Sequence, residues 1–429
     1  MSKSGSCEPT PGIWSPAQNE PRNIIVKFTN CCLLRNHNII KDDLWIQAGK
    51  IIDPEKLFFR ERKLPDKVID CGGALISPGF IDVQLNGGFG VDFSFDIDTI
   101  GEALEKVAQG ILAHGVTSFC PTLVSSRKEV YDKALPFLGK KPGGPLGAEV
   151  LGAHVEGPFI SPGKKGAHDS NVLQKLDNGI QSIIDVYQHV DAIAIITLAP
   201  ELENAVSVCK ELTQRGIIVS VGHSMASIVQ GEEAVKNGAS FITHLFNAML
   251  PFHHRDPGLV GLLASDQIPQ GRTIYYGLIA DGIHTHSSTT RIAYRAYPKG
   301  IVLVTDACSA LGLTDGIHQL GEMAIEVKGM QATIMGTNTL AGSVADMISC
   351  ITYFWKTTDC TLVEALEAAT LHPALLMGIE NKKGTLEFET DADFTMLEPN
   401  SLDVISTWIA GQCVFQNSQF LPKADLNLK

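Results

Sequence analysis

The stretch IIVSVGHSMASIVQGEEAVKNGASFITHLFNAM, residues 217–249, contains a strand, a helix and a second strand in succession. Apolar and β-branched residues form the two predicted strands, Ile217–His223 and Phe241–Phe246, and the residues between them have helical spacing. A unit of this kind joins two neighbouring parallel strands through a crossover helix. His223 and His244 are therefore expected at the same end of adjacent strands.

Strand-like runs of the same kind recur along most of the chain, with helical patterns between them. Their starts lie roughly 25 to 45 residues apart, a spacing that suits strand–helix units. The predicted strands are Ala74–Leu85, Val116–Val124, Glu149–Glu156, Ala192–Pro200, Ile217–His223, Phe241–Phe246, Thr273–Ala280 and Ile301–Thr305. Eight such units predict an α/β fold, a (β/α)8 TIM-like barrel over residues 74–377. An open doubly wound sheet is the alternative. The barrel is favoured because it brings the strand ends that carry metal-ligating residues onto one face.

Both flanks of the barrel differ from it, because they carry short strands of alternating polarity. We expect residues 22–73 and 378–424 to combine into one small β-sandwich built from both chain ends. Residues 1–21 are rich in Ser, Pro and Gly and lack an apolar segment, so they are predicted to form a disordered tail and not a signal peptide.

The composition of the chain argues against several classes of function. The net charge of −13 disfavours a nucleic-acid partner or an anionic membrane surface. No apolar run approaches the length of about 18 residues that a membrane span needs. The ten cysteines are scattered without a C-x-x-C pair, a pattern that indicates a reduced, cytoplasmic protein.

Three residues at predicted strand ends form a candidate metal site. Glu156 ends the third predicted strand, His223 the fifth, and His244 lies in the sixth. Glu156 alone could form a structural ion pair, and either histidine alone could be a core or capping residue. Together the three suit one divalent cation, with Zn²⁺ first and Co²⁺, Mn²⁺ or Fe²⁺ also accommodated.

A second carboxylate, Asp306, follows the eighth predicted strand. It could cap the following turn. Its place at the same end as the three candidate ligands favours the role of a general base that takes the proton of an activated water.

A candidate anion site follows His244 in the sequence. Backbone N–H groups at Asn247 and Ala248 could cradle an anion, and Arg255 supplies a nearby guanidinium. Arg255 could instead pair with Asp256 or lie on a solvated face. In a chain of net charge −13, a cationic group beside the metal strands favours phosphate binding.

Several longer motifs carry a family resemblance that spans about residues 24–420. The chain resembles the N-acetylglucosamine-6-phosphate deacetylases of the amidohydrolase superfamily. The motifs are PGFIDVQLNG at 78–87, HVEGPF at 154–159, GAH at 166–168, GHS at 222–224, HLFNAM at 244–249, RDPGL at 255–259, ADGIH at 280–284, VTDA at 304–307 and LAGS at 340–343.

The resemblance implies a barrel with a small split β-domain, a homodimer, and hydrolysis of N-acetyl-D-glucosamine 6-phosphate to D-glucosamine 6-phosphate and acetate. It implies Glu156, His223 and His244 as metal ligands and Asp306 as the catalytic acid and base. It also implies substrate contacts by the remaining candidate residues, which are Ala167, His168, Asn247, Ala248, Arg255, His284, Leu340 and Ala341. Among these, His168 would hold the acetamido carbonyl oxygen, and Leu340 and Ala341 would close over the sugar ring as a loop.

The first predicted strand departs from many amidohydrolases, which carry a His-x-His pair there. This chain has Gln84 and Asn86 at those places, and amides are poor ligands for Zn²⁺, so we expect one metal ion and not two. Two alternative functions stay open from the residues. One is another amidohydrolase, such as a cyclic-amide hydrolase, and the other is a catalytically silent barrel that acts as a binding protein.

Overall fold

The computed structural model describes residues 23–57, 62–320, 323–337 and 340–420. The predicted tail at 1–21 and the last residues of the predicted 378–424 segment lie outside these ranges. The strands are β1 (Ile25–Thr29), β2 (Cys32–Arg35), β3 (Asn38–Lys41), β4 (Leu44–Gln47), β5 (Lys50–Ile51), β6 (Lys67–Asp70), β7 (Leu75–Pro78), β8 (Phe80–Leu85), β9 (Gly87–Gly88), β10 (Val91–Asp92), β11 (Val116–Val124), β12 (Glu149–Val150), β13 (Ala153–Glu156), β14 (Ile193–Leu198), β15 (Ile218–Val221), β16 (Phe241–Ile242), β17 (Tyr275–Leu278), β18 (Ile301–Leu303), β19 (Gly316–Leu320), β20 (Met323–Lys328), β21 (Gln331–Ile334), β22 (Leu340–Ser343), β23 (Phe394–Leu397), β24 (Val404–Ile409) and β25 (Gln412–Gln416). The α-helices are α1 (Ile100–Gly110), α2 (Lys128–Leu138), α3 (Ile180–Tyr187), α4 (Ala205–Gln214), α5 (Ile228–Lys236), α6 (Ser287–Ala296), α7 (Met347–Thr358), α8 (Leu362–Glu367) and α9 (Leu371–Met377).

Eight parallel strands form the predicted barrel, in the order β8-β11-β13-β14-β15-β16-β17-β18. The first and last strands meet at their carboxyl ends, where the Asp306 N–H donates to Gln84 O at 2.9 Å and the Asn86 N–H donates to Ala307 O at 2.9 Å. The barrel fold is therefore confirmed over the open-sheet alternative, and the strand ends converge on one face.

Helices cover the barrel with the faces that their apolar spacing predicts. In α1, for example, Ile100, Leu104 and Val107 are all buried. Helix α5 begins at a capping box, in which the Ser227 side chain accepts from the Gln230 N–H and the Gln230 side chain accepts from the Ser227 N–H.

Two predicted strands are each divided in the structure. The first becomes β7 and β8, and they separate at Gly79, where an added Cβ would lie 2.1 Å from Thr117 Oγ1. The third becomes β12 and β13 around Gly152, whose φ of 110° interrupts the strand. The prediction of one continuous strand was wrong in both cases, because apolar runs do not reveal where the backbone bends.

The two chain ends combine into a β-sandwich, as predicted. One sheet has the order β5-β4-β1-β6 and the other has the order β25-β24-β23-β7-β2-β3. Their facing sides bury a cluster in which Phe28 contacts Phe394 and Trp408 edge-on, with ring centroids 5.2 and 5.1 Å apart. The boundaries at residues 73/74 and 377/378 stay predictions, and β7 joins the sandwich sheet beyond the first of them.

An additional four-stranded sheet, β19-β20-β21-β22, lies between barrel strand β18 and helix α7. It was not predicted. A small separate cluster that includes Ala310, Ile325 and Ala332 forms its core. Its last strand returns to the barrel rim, where Cys308 N–H donates to Ser343 O at 2.9 Å.

Candidate metal centre and active site

Three buried side chains converge at the carboxyl end of the barrel. Glu156 is the last residue of β13, and His223 and His244 each lie two residues beyond a strand, β15 and β16. Glu156 Oε1 is 3.1 Å from His223 Nε2 and 2.9 Å from His244 Nε2, and the two Nε2 atoms are 3.1 Å apart. The structure thus brings together the three predicted ligands.

The donor set fits a divalent cation. Neighbouring ligand atoms of a tetrahedral zinc ion, at bond lengths of 2.0–2.2 Å, are about 3.4 Å apart. The three atoms in this site are separated by 2.9–3.1 Å, close to that distance. The His223 Nδ1–H donates to Lys164 O at 2.9 Å, which leaves the lone pair of Nε2 directed into the cluster.

The backbone around the site is held in an uncommon conformation. His223, His244 and Asp306 all have positive φ, at 47°, 24° and 46°. Such residues cost of order 1–3 kcal/mol each and persist where the surrounding structure enforces them, often at functional sites. Gly222 permits the close approach of two strands, since an added Cβ would lie 2.7 Å from Thr243 Cβ.

The charges in the cluster depend strongly on one another. Burial would raise the pKa of Glu156, but hydrogen bonds from His223 and His244 hold it well below its usual range. Burial would lower the pKa of His244, but the hydrogen bond and charge of Glu156 raise it to about 9. A proton on an imidazole therefore balances the buried carboxylate when no cation does.

Asp306 lies beside this cluster, three residues beyond β18. Its Oδ1 accepts from Asn86 Nδ2 at 2.7 Å and from Gln84 Nε2 at 3.2 Å, and Gln84 Nε2 also donates to Glu156 Oε1 at 3.1 Å. Burial, together with the charge of Glu156, raises the pKa of Asp306 to about 6. A carboxylate with a pKa near neutrality is suited to proton transfer in both directions.

His168 approaches the cluster from a loop, with its ring centroid 4.5 Å from that of His223. The Ser125 backbone N–H donates to His168 Nδ1 at 3.1 Å, and the Ser125 hydroxyl lies 2.7 Å from the same atom. Nδ1 therefore acts as an acceptor, and the proton is on Nε2. Burial lowers the pKa of His168 to about 4, so the ring stays neutral and Nε2–H stays a donor.

His284 is fixed by a carboxylate on its own loop. Asp281 Oδ2 accepts from His284 Nδ1 at 2.6 Å, and Asp281 Oδ1 accepts from the His284 backbone N–H at 2.8 Å. Burial would lower the pKa of His284, but its pairing with Asp281 raises it. The ring is thus oriented, with Nε2 left for another partner.

The predicted anion-binding residues lie on the loop after β16. Ala248 has a positive φ of 49°, and its carbonyl accepts from the Ser224 N–H at 3.0 Å, which ties this loop to the one after β15. The Asn247 N–H donates to His244 O at 3.0 Å and is not free for an anion. The predicted cradle of two backbone N–H groups therefore loses one of them. The Asn247 side-chain amide and the Ala248 N–H are the groups of these two residues that stay candidates for binding an anion.

Arg255 is exposed on the same loop. Asp256 Oδ1 instead accepts from the backbone N–H groups of Ile228 and Gly258, at 2.9 and 3.2 Å. Within the described ranges the Arg255 guanidinium makes no ion pair with Asp256, and its exposed position is compatible both with a solvated face and with phosphate binding.

The remaining candidate residues stand at the surface near the rim. Ala167 and Leu340 are exposed, and Ala341 is partly exposed. Leu340 and Ala341 belong to strand β22 of the additional sheet, so the expectation that they lie in a loop was wrong.

Two contributing residues were not anticipated. Ser125 sets the tautomer of His168, and Asp281 orients His284. Ser125 directly follows β11, so the rule that picked out the other strand ends could have found it. Asp281 lies within the motif at 280–284, where its spacing of three from His284 was the available signal.

No helix in the described part of the chain has both the length and the apolar character to cross a membrane.

The profile of the amidohydrolase family matches residues 75–414. A curated relative from Bos taurus, N-acetylglucosamine-6-phosphate deacetylase, is 54% identical over 94% of this chain and 99% of its own length. The N-acetylglucosamine-6-phosphate deacetylase from Danio rerio is 55% identical over 91% of this chain and 97% of its own length.

A solved structure gives the same result for the fold. The crystal structure of N-acetylglucosamine-6-phosphate deacetylase from Pasteurella multocida aligns with a TM-score of 0.80 at 29% identity, over 92% of this chain and 100% of that one.

Proposed function

Because the chain belongs to the amidohydrolase family, and within it to the N-acetylglucosamine-6-phosphate deacetylases, we propose that it hydrolyses N-acetyl-D-glucosamine 6-phosphate. The products are D-glucosamine 6-phosphate and acetate, which places the enzyme in amino-sugar catabolism. The observation that carries the proposal is the buried cluster of Glu156, His223 and His244 with Asp306 beside it. It supplies ligands and a base at one face of the barrel.

One divalent cation would be held by Glu156, His223 and His244, and Zn²⁺ is our first candidate because a carboxylate and two imidazoles suit it. Co²⁺, Mn²⁺ and Fe²⁺ are accommodated by the same ligands. When bound, the cation supplies Lewis-acid activation of water and of the amide carbonyl.

Asp306 transfers the proton in this proposal. Its carboxylate accepts a proton from the attacking water as the new C–O bond forms. The same group then donates that proton to the amine nitrogen as the C–N bond of the acetamide breaks. In the metal-free protein, burial and the charge of Glu156 raise the pKa of Asp306 to about 6, which is compatible with a group that takes and returns a proton.

His168 stabilises the charge that develops on the carbonyl oxygen. Its Nε2 carries the proton, since Ser125 donates to Nδ1. A fixed donor of this kind acts most strongly when the oxygen becomes an oxyanion, and the loss of one such donor typically costs about 10²–10³ in rate.

The phosphate provides binding energy away from the reacting bond. Arg255 pairs with the 6-phosphate, and the Asn247 side chain and Ala248 N–H add hydrogen bonds. His284 contacts the sugar or its phosphate, while Ala167, Leu340 and Ala341 contact the sugar and its acetamido group. Remote anchoring of this kind positions the amide for attack.

Three further parts of the proposal concern the protein in the cell. We infer a cytoplasmic location, supported by scattered cysteines that are all free in the described ranges. We also infer a homodimer, which rests on the family resemblance alone. Nucleic acid is not a proposed partner, given the net charge of −13.

One assay tests the proposal against its alternatives. Purified protein is analysed for metal content and then incubated with N-acetylglucosamine 6-phosphate, while released acetate is measured. We expect about one metal ion per chain and rapid acetate release. Asp306→Asn is the matched variant, and it should keep the metal but lose kcat by about 10² or more. Hydrolysis of a cyclic amide instead, or no hydrolysis with any amide, would favour the other two functions.

A further inference from the structure

The two oxygens of the Asp306 carboxylate have different surroundings. Oδ1 accepts two hydrogen bonds, from Asn86 Nδ2 at 2.7 Å and from Gln84 Nε2 at 3.2 Å. No donor in residues 23–57, 62–320, 323–337 or 340–420 is bonded to Oδ2. Oδ1 is therefore occupied by donors from the protein, and Oδ2 is available to accept a proton.

The orientation of the Gln84 amide follows from its neighbours. The amide nitrogen lies between two carboxylate oxygens, 3.1 Å from Glu156 Oε1 and 3.2 Å from Asp306 Oδ1. Only the NH₂ group can satisfy both acceptors, since a carbonyl oxygen there would face negative charge on both sides. The Asn86 nitrogen faces two acceptors of one residue, Asp306 Oδ1 at 2.7 Å and Asp306 O at 3.5 Å, so its NH₂ group is also on that side. The carbonyl oxygens of both amides are buried and make no hydrogen bond within the described residues, so the side chains are held through their NH₂ groups, which donate to the carboxylates of Glu156 and Asp306 and, from Asn86, also to Asp306 O.

Backbone contacts reinforce the same arrangement. The Asp306 N–H donates to Gln84 O, and the Asn86 N–H donates to Ala307 O, each at 2.9 Å. Residues at the end of β8 thus bind Asp306 and Ala307 through both backbone and side-chain hydrogen bonds. These contacts enforce the positive φ of 46° at Asp306, a conformation that needs such support.

We propose that Gln84 and Asn86 are positioning residues, which bind Asp306 through Oδ1 and thereby present Oδ2 as the oxygen that takes and returns the proton. The inference rests on the proposed function, because it assigns Asp306 the role of base. The sequence alone indicated only that Gln84 and Asn86 are poor ligands for a second metal. The proposal gives the two amides a positive role, because their hydrogen bonds restrain the side chain of Asp306.

A double-mutant cycle between positions 86 and 306 tests the proposal. Asn86→Leu removes the shorter hydrogen bond at similar volume, and we expect kcat to fall about 10- to 100-fold, as for loss of an outer-shell partner. KM should change less than twofold and metal content should stay at one per chain. In the Asp306→Asn background, the same substitution should cost less than twofold, because no base remains to be positioned. An equal loss in both backgrounds would overturn the proposal.

A structural readout and two further variants complete the test. In a crystal structure of Asn86→Leu, the Asp306 side chain should adopt a different χ1 or χ2 angle, and an unmoved carboxylate would contradict the proposal. If Asn86→Leu does not fold, Asn86→Ala removes the donor without adding a charge and enters the same cycle. Asn237→Leu is the control, since within the described part of the chain its side-chain amide donates to Glu233 O at the end of α5 and to no other group. Absence of acetate release by the unaltered enzyme would count against the proposed function, whereas normal release with an additive cycle would count against the positioning role alone.

Discussion

Two buried groups of charged side chains lie at different ends of the barrel, and their negative charge is balanced in different ways. At the carboxyl end, Glu156 meets His223 and His244. Toward the amino end, Lys383 contacts Glu149 at 2.8 Å, Asp391 at 3.5 Å and Asp393. The second group contains its own permanent cation, and the first does not.

This difference separates a structural cluster from a ligand site. Burial would lower the pKa of Lys383, but Asp393 and Glu149 raise it, so the amine stays charged. Lys383 joins the sandwich to Glu149 in β12, the short strand just before barrel strand β13. In the carboxyl-end group, three lone-pair donors converge within about 3 Å, and an external cation can replace the proton that otherwise holds them together. Burial alone would not have distinguished the two.

The largest effect is expected from the three proposed metal ligands. Glu156→Gln keeps the shape of the side chain but removes the charge that both imidazoles face. We expect the bound metal to be lost and acetate release to fall by about 10³ or more, which corresponds to roughly 4 kcal/mol of barrier. Metal analysis by mass spectrometry and the acetate assay measure both effects.

The control for this change is Glu201→Gln. Glu201 is a nearby carboxylate whose hydrogen-bond donors, among the residues that the structure describes, are Ser224 Oγ and the Met225 N–H, at 2.7 and 2.6 Å. It should retain both metal and activity. If Glu156→Gln also bound one metal ion per chain, the carboxyl-end group would be structural, like the one around Lys383.

The opposite outcome is expected at the amino end. Lys383→Met leaves Asp393 buried without its cation, and breaking a buried pair in this way typically costs about 3–5 kcal/mol of unfolding free energy. Activity per folded molecule should not change, since this group is outside the active site. Denaturant unfolding and active-fraction kinetics check the two parts. For comparison, Lys236→Met breaks only the exposed pair with Glu233 and should cost less than about 1 kcal/mol. A similar small cost for Lys383→Met would remove the contrast.

The sequence predicted the carboxyl-end group better than most of the molecule, for a physical reason. Strands of a covered parallel sheet are continuous apolar runs, so a Glu or His at the end of one is conspicuous. Glu156, His223, His244 and Asp306 all stand at such ends. The barrel then requires those ends to meet, which turned four local observations into one site.

Other features depend on contacts that no local pattern contains. Asn86 and Asp306 are 220 residues apart, and their hydrogen bond exists only because the first and last strands close the barrel. The amides were therefore interpreted only as poor metal ligands. The sheet from β19 to β22 was missed because its short antiparallel strands do not follow the strand–helix rhythm used elsewhere. The group around Lys383 was missed because its members are spread over Glu149, Asp391 and Asp393.

A substitution of Arg255, the exposed cation at the carboxyl end, tests whether the proposed substrate site extends to this residue. Arg255→Ala should raise KM for N-acetylglucosamine 6-phosphate about 10- to 100-fold, since charge-assisted hydrogen bonds are worth about 1.5–3 kcal/mol. It should matter little for unphosphorylated N-acetylglucosamine. Steady-state kinetics with both sugars make the comparison, and Arg295→Ala, on an exposed pair with Asp359, is the control. An equal effect on both sugars would exclude Arg255 from the phosphate site.

The smallest effect concerns how the two groups respond to pH. In the metal-free protein, Glu156 raises the pKa of His244 to about 9, so below that pH a cation must displace a proton from the imidazole. We therefore expect the apparent affinity for Zn²⁺ to rise up to about tenfold per pH unit between pH 6 and 8, and to level off near pH 9. Competition with a chromophoric chelator measures the affinity, and calorimetry in buffers of different ionisation enthalpy counts the protons released. Since Lys383 keeps its proton throughout, Lys383→Met should leave this pH dependence unchanged. An affinity for Zn²⁺ that did not vary with pH would mean that no proton stands in for the metal, and the carboxyl-end group would then need another source of charge balance.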